Sequence, residues 1–559
     1  MDTSPARPAA WHPTHLLLVL ALWLGTLGNW PLWLDMSRRL PEQGWHPTLM
    51  VASWAVALSG VTLAFLCLWV WPRWLKVAGL MLLVASAAAN YFMYTYGVVI
   101  DPSMVANALH TDAREVRDLL SPNMGAFAVG GVLLPGVWWW RQRVQAVGTR
   151  GLLRRQAGWA LVGMALALVM LWLTFQDFAS TMRNHKPLRY MINPFNTVYA
   201  LTRHSVGQAD RSQQPLEVVG TDATLRLVPT HERDAPLMVV VVGETARAAN
   251  FGLSGYARDT TPRLSALRRE GELVYFSDAW SCGTSTQVSV PCMFSDQGRA
   301  QYDDRTHREN LLDVVQRAGL AVVWIDNQSG CKGVCDRVPQ MRTQALDLPG
   351  LCGGGECFDE VMLHVLPEQW RGLAPERRSR GTLVVLHQMG SHGPAYSKRT
   401  PANFKPFMPE CDKANLQECS TESLVNTYDN TVRYTDHVIA ETIRWLQAQS
   451  RPVALLYVSD HGESLGEKGL YLHGMPYRMA PDEQTHVPML LWTNAAMRSR
   501  VGIGLDCLSA QATTRASHDH LFHTVLGLMG ISTQAYRAEQ DLTADCQTPS
   551  RTALLSTNG

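Results

Sequence analysis

The sequence predicts two architectures in tandem: a membrane domain of five helices, then an α/β domain whose mostly parallel sheet is covered by helices on both faces. Three observations carry this. Apolar stretches long enough to cross a bilayer, about 20 residues, crowd the first third of the 559-residue chain. After residue 236, short apolar β-rich runs alternate with helical patterns, the mark of a sheet buried on both faces. Of 11 cysteines, only Cys67 precedes residue 280, so the later part of the chain carries an even number in a region suited to disulfides.

The membrane domain is placed at 1–176, with spans near 15–35, 49–71, 75–98, 122–140 and 157–176. The first is too long for a secretory signal and lacks a small-residue cleavage site. Many of the 19 tryptophans lie before residue 175, where they suit the membrane interface. Arg141, Arg143, Arg150, Arg154 and Arg155 mark the loop after the fourth span as cytoplasmic, as Arg73 and Lys76 do for the turn after the second. Arg38 and Arg39 argue the other way but are outnumbered. Five crossings from a cytoplasmic N-terminus put everything after residue 176 outside the cytoplasm. Lys+Arg 49 against Asp+Glu 48 leaves no basic excess for nucleic acid.

In the loop after the third span, Asn107, Thr111 and Glu115 recur every fourth position. That spacing stacks them on one helix face, where they could hold the amine and phosphate of a lipid headgroup. Residues 177–235 form a connector. Basic and apolar residues interleave to about Leu201 as surface-lying amphipathic helices broken at Pro194, and 205–235 reads as a polar linker.

The catalytic domain is placed at 236–559. Strands are expected at Leu237–Val242, Ala321–Ile325, Thr382–Leu386, Val453–Val458 and Pro488–Trp492. The residues that follow four of them are chemically loaded: Gly243-Glu244-Thr245, Asp326 to Lys332, His387 to Gly393 and Ser459-Asp460-His461-Gly462-Glu463. Ligands of such sheets bind beyond the carboxyl ends of the strands. Glu244, Asp460 and His461 suit zinc with one position left for a reacting group. Residues 281–296 supply that group. A helix opening after Gly283 puts Thr284, Ser285 or Thr286 near its first turn, beside the free N–H groups that favour phosphate. With Thr286 in the fourth position, coordination would lower the hydroxyl pKa enough to make it a nucleophile. His392 and His473 could bind an additional zinc or an incoming phosphate, and Lys332 could neutralise phosphate oxygens. The cysteines nearest in sequence close short loops at 282–292, 331–335, 352–357 and 411–419.

Gly-Glu-Thr-Ala-Arg (243–247), Cys-Gly-Thr-Ser-Thr…Ser-Val-Pro-Cys-Met-Phe-Ser (282–295), Gly-Cys-Lys-Gly-Val-Cys (330–335), His-Gln-Met-Gly-Ser-His-Gly-Pro-Ala-Tyr (387–396) and Ser-Asp-His-Gly-Glu-Ser-Leu-Gly-Glu (459–467) resemble the lipid A phosphoethanolamine transferases, which include the mobile colistin-resistance enzymes. The resemblance extends to Ser517-His518-Asp519-His520-Leu521-Phe522-His523. It implies an alkaline-phosphatase-like (sulfatase-like) domain in the periplasm, attached to the bacterial inner membrane by a multi-pass domain. Its metal ligands map onto Glu244, Thr286, Asp460 and His461, with Thr286, not Thr284, as the nucleophile. Substrate-side residues map onto Lys332, His392 and His473, and membrane-loop residues onto Asn107, Thr111 and Glu115. The family's disulfides match Cys282, Cys292, Cys331, Cys335, Cys352, Cys357, Cys411 and Cys419 in the four short loops. The glycine run Gly353 to Gly355 is a local departure.

The implied reaction is ping-pong. Thr286 attacks phosphatidylethanolamine, expels diacylglycerol and becomes a phosphoethanolamine-threonine; a lipid A phosphate then takes the group. The added amine offsets outer-surface negative charge and weakens binding of polymyxin and other cationic peptides. One tightly bound zinc, a possible additional zinc, membrane lipids as surroundings and a monomeric state complete the expectation. The acceptor could instead be a core sugar of lipopolysaccharide. A sulfatase is disfavoured because Met293 stands where the Ser-x-Pro-x-Arg signature needs arginine. A phosphoglycerol transferase of the lipoteichoic-acid type lacks this cysteine pattern. A membrane receptor with structural zinc is the non-enzyme alternative.

Overall fold

The computed structural model describes residues 10–39, 47–111, 113–353 and 355–547. Residues 1–9 of the predicted membrane domain, Gly354 of the glycine run and residues 548–559 of the predicted catalytic domain lie outside them. The chain forms two units, one of Met1–Val105 with Leu120–His204, the other of Ala106–Leu119 with Ser205–Gly559.

In the first unit, four helices among the described residues are long and apolar enough to cross a membrane: Pro13–Arg39, Pro47–Trp69, Leu75–Tyr96 and Thr149–Leu173. Five were expected. The segment predicted at 122–140 is helical in three abutting pieces, with a π turn at Val129–Leu133 between Pro122–Ala128 and Leu134–Arg141. Pro135 explains the interruption. It has no N–H for the carbonyl of Gly131, and its ring crowds that carbonyl, so the regular ladder cannot pass. The helices Pro47–Trp69 and Thr149–Leu173 meet at Gly60 and Gly163. A Cβ on Gly60 would lie 2.4 Å from the Gly163 carbonyl oxygen, which is the close backbone approach that small residues allow between helices. Leu161, Val162, Leu168 and Trp172 leave an exposed apolar face suited to lipid.

The second unit is built on a seven-stranded sheet: β1 Leu237–Gly243, β2 Leu273–Phe276, β3 Ala321–Asp326, β4 Gln340–Arg342, β5 Thr382–His387, β6 Val453–Ser459 and β7 Met489–Thr493. Their order is β2-β7-β6-β1-β5-β3-β4. The sheet is mixed. The run β6-β1-β5-β3-β4 is parallel, whereas β7 is antiparallel to both β6 and β2. Parallel neighbours need a long crossover, usually a helix; between β6 and β7 the chain makes a short hairpin, Ser464–Leu465 with Tyr471–Leu472, and the four-residue helix Asp482–Thr485, and the strand returns antiparallel.

Strand periodicity sorts β1 into two cores. Met238, Val240 and Val242 lie in one buried cluster with Val290, Met293, Phe522 and Leu526. Leu237, Val239 and Val241 lie in another with Leu264, Val361, Tyr428 and Ile439. Residues 205–235 are helical to Gln213 and then bury Val219, Ala223 and Leu225 in the first of these clusters; Thr224–Leu225 pairs antiparallel with Ile531–Ser532. Those apolar side chains, sparse in a polar stretch, give it a packed place.

Candidate active site

Glu244 and Asp460 are the residues next after Gly243 and Ser459, which are registered partners on the parallel strands β1 and β6. The sheet therefore delivers two carboxylates side by side, both with no solvent exposure. Thr286 stands at the first position of the helix Thr286–Met293, behind the extended N-cap Ser285. Its Oγ1 lies 3.3 and 3.1 Å from the two Glu244 carboxylate oxygens and 3.4 Å from His461 Nε2. His461 Nε2 is in turn 3.5 Å from Glu244 Oε1 and 3.4 Å from Asp460 Oδ2.

Each of the three side chains is aimed by its remaining bonds. His461 Nδ1–H donates to the Gly462 carbonyl at 2.9 Å, which leaves the Nε2 lone pair facing the cluster. Asp460 Oδ1 accepts the Thr245 and His461 N–H groups at 3.2 and 2.7 Å; its Oδ2 is buried with no hydrogen-bond partner. Gln328 Nε2 donates to Glu244 Oε2 at 3.0 Å. Thr245 holds a left-handed φ of 50°, unusual for a β-branched residue. Tyr428 pins it, its hydroxyl donating to the Thr245 carbonyl at 2.6 Å and accepting the Arg247 N–H at 3.0 Å. Gly390, at φ +52°, passes so close behind Glu244 that a Cβ would sit 2.6 Å from the Glu244 carbonyl oxygen.

Electrostatics single out the same residues. Burial, and then the neighbouring Asp460 carboxylate, push Glu244 well above the usual carboxylate range. Burial raises Asp460 to about 6, against the pull of His387 and two backbone N–H groups. Burial, reinforced by His473, holds His461 well below the usual imidazole value. Two buried acids and a neutral imidazole, converging within 4.8 Å, form a site short of positive charge. Ligand atoms about 2 Å from a tetrahedral ion lie about 3.3 Å from one another, close to the spacings seen here. Glu244, Asp460 and His461 can therefore hold a metal ion, and Thr286 Oγ1 lies against two of these three residues.

The other predicted residues gather around this centre unevenly. The His473 ring centroid is 4.4 Å from that of His461 and 5.6 Å from that of His392. Burial works to lower the His473 pKa, but Glu463, whose Oε2 is 3.3 Å from its Nδ1, outweighs this with help from Asp460 and Glu115 and raises it. Lys332 Nζ donates to Ser329 Oγ at 2.7 Å; Ser329 also bonds Gln328 Oε1, so a chain of bonds runs from Lys332 to Glu244. The stripe Asn107, Thr111 and Glu115 is not on one continuous helix. The segment forms Pro102–Leu109 and Ala113–Leu119. Thr111 Oγ1 donates back to the Asn107 carbonyl, and His110 Nδ1 sits 2.8 Å from the Ala106 carbonyl; such local bonds compete with the ladder. Glu115 reaches toward the centre, its Oε1 3.9 Å from His392 Nε2.

The disulfides Cys282–Cys292, Cys331–Cys335, Cys352–Cys357 and Cys411–Cys419 are all formed, and Cys507–Cys546 is a fifth. Sequence reasoning missed Gln328, although it lies in the loop after β3. It also gave no role to His518, which accepts the Cys282 N–H at 3.0 Å and bonds the Ser459 carbonyl at 2.8 Å, tying the threonine loop to the end of β6. Burial lowers the His518 pKa to about 4, consistent with a neutral ring serving as both donor and acceptor.

A family model for sulfatases matches residues 236–531, and one for phosphoethanolamine transferases EptA/EptB matches residues 58–209. The chain is 41% identical to phosphoethanolamine transferase EptA of Escherichia coli K12 over 95% of its own length and 96% of the relative's. It is 38% identical to phosphatidylethanolamine transferase Mcr-1 of Escherichia coli over 86% and 88%. Its structure resembles the integral membrane lipooligosaccharide phosphoethanolamine transferase A of Neisseria meningitidis at a TM-score of 0.90 and 37% identity, covering 96% of this chain and 99% of that one. The chain is thus an integral membrane protein with apolar N-terminal helices and a periplasmic soluble unit. It is an enzyme of the phosphoethanolamine transferase family, with the sulfatase-like fold in its catalytic unit.

Proposed function

We propose that the enzyme moves phosphoethanolamine from phosphatidylethanolamine to a lipid A phosphate by way of a covalent phosphoethanolamine-Thr286, with zinc held by Glu244, Asp460 and His461. The observation that carries this is the convergence of Thr286 Oγ1 with Glu244 and His461 beside an Asp460 oxygen that is buried and unbonded. Zinc bound there would lower the pKa of the hydroxyl and counter the two buried carboxylates.

The chain's own groups account for the rest. Thr286 O–H donates toward Glu244, so its proton leaves in that direction as Oγ1 bonds to phosphorus and the bond to diacylglycerol breaks. His473, its pKa raised by Glu463, can protonate the departing oxygen. Lys332 and the helix N-terminus behind Ser285 supply positive charge for the phosphoryl oxygens. A lipid A phosphate oxygen then attacks the same phosphorus and releases Thr286. The lipid A phosphate is preferred to a core sugar because the EptA relatives of Escherichia coli and Salmonella typhimurium are 38 to 41% identical over 95% of the chain and that of Helicobacter pylori 30% over 91%, against 27% for the Kdo(2)-lipid A phosphoethanolamine 7''-transferase of Escherichia coli.

Intact-mass measurement of the full chain after exposure to phosphatidylethanolamine should show one added phosphoethanolamine, absent from Thr286→Ala. Lipid A from cells making the wild-type protein should carry the same group. Persistent transfer by Thr286→Ala would rule the covalent route out.

A further inference from the structure

The short helix Ala113–Leu119 carries Glu115, and it also carries an acid that the reaction outlined above does not use. Asp118 is buried, its side chain 3% exposed, as is that of Arg399. Asp118 Oδ2 accepts from Arg399 Nη2 at 2.6 Å, and Oδ1 accepts from Lys398 Nζ at 2.5 Å. Arg399 distributes its other donors with equal definition. Nη1 bonds Glu356 Oε2 at 2.9 Å, within the loop closed by Cys352–Cys357. Nε bonds the main-chain carbonyl of His392 at 3.0 Å. One guanidinium thus holds, at once, the helix that bears Glu115 and the backbone of the histidine that Glu115 faces. A planar five-donor fork fixes direction as well as distance, which the exposed Lys398 ammonium cannot do. The network spans 281 residues of sequence between its two ends.

We infer that the Asp118–Arg399 pair is a positioning device that sets Glu115 against His392, and so sets how the donor lipid's ethanolamine phosphate is received. The inference rests on the reading of Glu115 as a headgroup ligand. Asp118 itself touches no reacting atom; it acts through Glu115. A surface ion pair would be a weak candidate for such a role, but this one is desolvated, and a buried pair is directional and intolerant of losing a partner.

The test is a double-mutant cycle in the full-length protein, with phosphatidylethanolamine presented in phosphatidylglycerol vesicles. Glu115→Gln and Asp118→Asn should each raise KM for the lipid about tenfold with kcat changed less than about threefold, and the double variant should be no worse than Glu115→Gln within about twofold. Asp118→Glu should recover most of the loss, which guards against a variant that merely folds badly. Multiplying effects in the double variant would show that Asp118 acts elsewhere and overturn the inference. So would wild-type KM in Asp118→Asn while Glu115→Gln is impaired. If Glu115→Gln alone transfers normally, the premise falls and the inference with it. If the wild type transfers nothing in the same assay, it is the proposed reaction itself that fails.

Discussion

Two pairs of side chains stand at the same edge of the sheet, one pair of strands apart, and differ in one respect. At the ends of β3 and β5, Asp326 and His387 are registered partners; His387 Nδ1 lies 2.9 Å from Asp326 Oδ2. Trp324 Nε1 and the Gly330 N–H complete the acid's bonding at 2.9 and 3.0 Å. Just beyond the ends of β1 and β6, Glu244 and Asp460 occupy the equivalent places, but both are acids. All four are buried to the same degree. Burial would raise Asp326, yet the charge and hydrogen bond of His387 outweigh it and its pKa falls. Glu244 and Asp460 face His461, whose own pKa burial holds well below the usual imidazole value, and both rise. Burial therefore does not mark the site. Burial without compensation does, because it states what the missing component must be: a cation.

The largest effect that bears on this contrast belongs to the nucleophile. Thr286→Ala should lower transfer about a thousandfold or more while leaving bound metal, read by mass spectrometry of the purified protein, close to the wild-type amount. Loss of metal together with activity would mean that the hydroxyl helps to hold the ion in place.

Next in size is the pH dependence of stability in metal-free protein. Asp460 has a folded pKa of about 6 against an ordinary 3.8, so its contribution is full below about 3.8 and is lost as pH rises through about 6; Glu244 acts in the same direction. Chelated protein should lose on the order of 3 kcal/mol from Asp460 between about pH 4 and pH 7, seen as a falling unfolding temperature, and added zinc should abolish the decline. Equal slopes with and without zinc would remove the cluster as the cation site. Asp326→Asn reverses the sign. A lowered carboxylate contributes stability above its unfolded pKa that is lost as pH falls, so this variant should cost about 1–3 kcal/mol at neutral pH and progressively less in acid, with zinc affinity unchanged.

These contrasts were only partly readable in the sequence. The β-rich runs at β1, β3, β5, β6 and β7 are plain because a buried strand must be apolar throughout, and the acids, imidazoles and lysine that interrupt the pattern at the strand ends point to the rim. Strand direction is not written in burial, so the antiparallel return of β7 was hidden. The edge strand β4, Gln340–Arg342, is polar and is defined by its pairing with β3 rather than by its composition. The period-four spacing of Asn107, Thr111 and Glu115 fits a helix, but the segment forms Pro102–Leu109 and Ala113–Leu119, with Thr111 between them bonded through Oγ1 to the Asn107 carbonyl. Gln328 is one amide among several, and only its 3.0 Å bond to Glu244 distinguishes it. Cys507 and Cys546 are 39 residues apart; no short loop suggests their pairing.

The smallest expected effect lies away from the rim and separates support from chemistry. The helix Thr421–Gln447 braces the site through Tyr428 on Thr245 and through Thr431 Oγ1 on Ser391 Oγ at 2.7 Å. Its N-cap, Ser420, accepts the Ser423 N–H at 3.1 Å, two turns before Tyr428. Ser420→Ala frays that first turn and should cost about 1 kcal/mol, a drop of a few degrees in the unfolding temperature. Helix ends fray locally and the bracing residues lie deeper in the buried face, so KM and kcat should stay at wild-type values. A fall in kcat without a matching loss of stability would mean that the cap reaches Thr245 through the helix, and the division between a compensated scaffold and an uncompensated centre would have to be redrawn to include it.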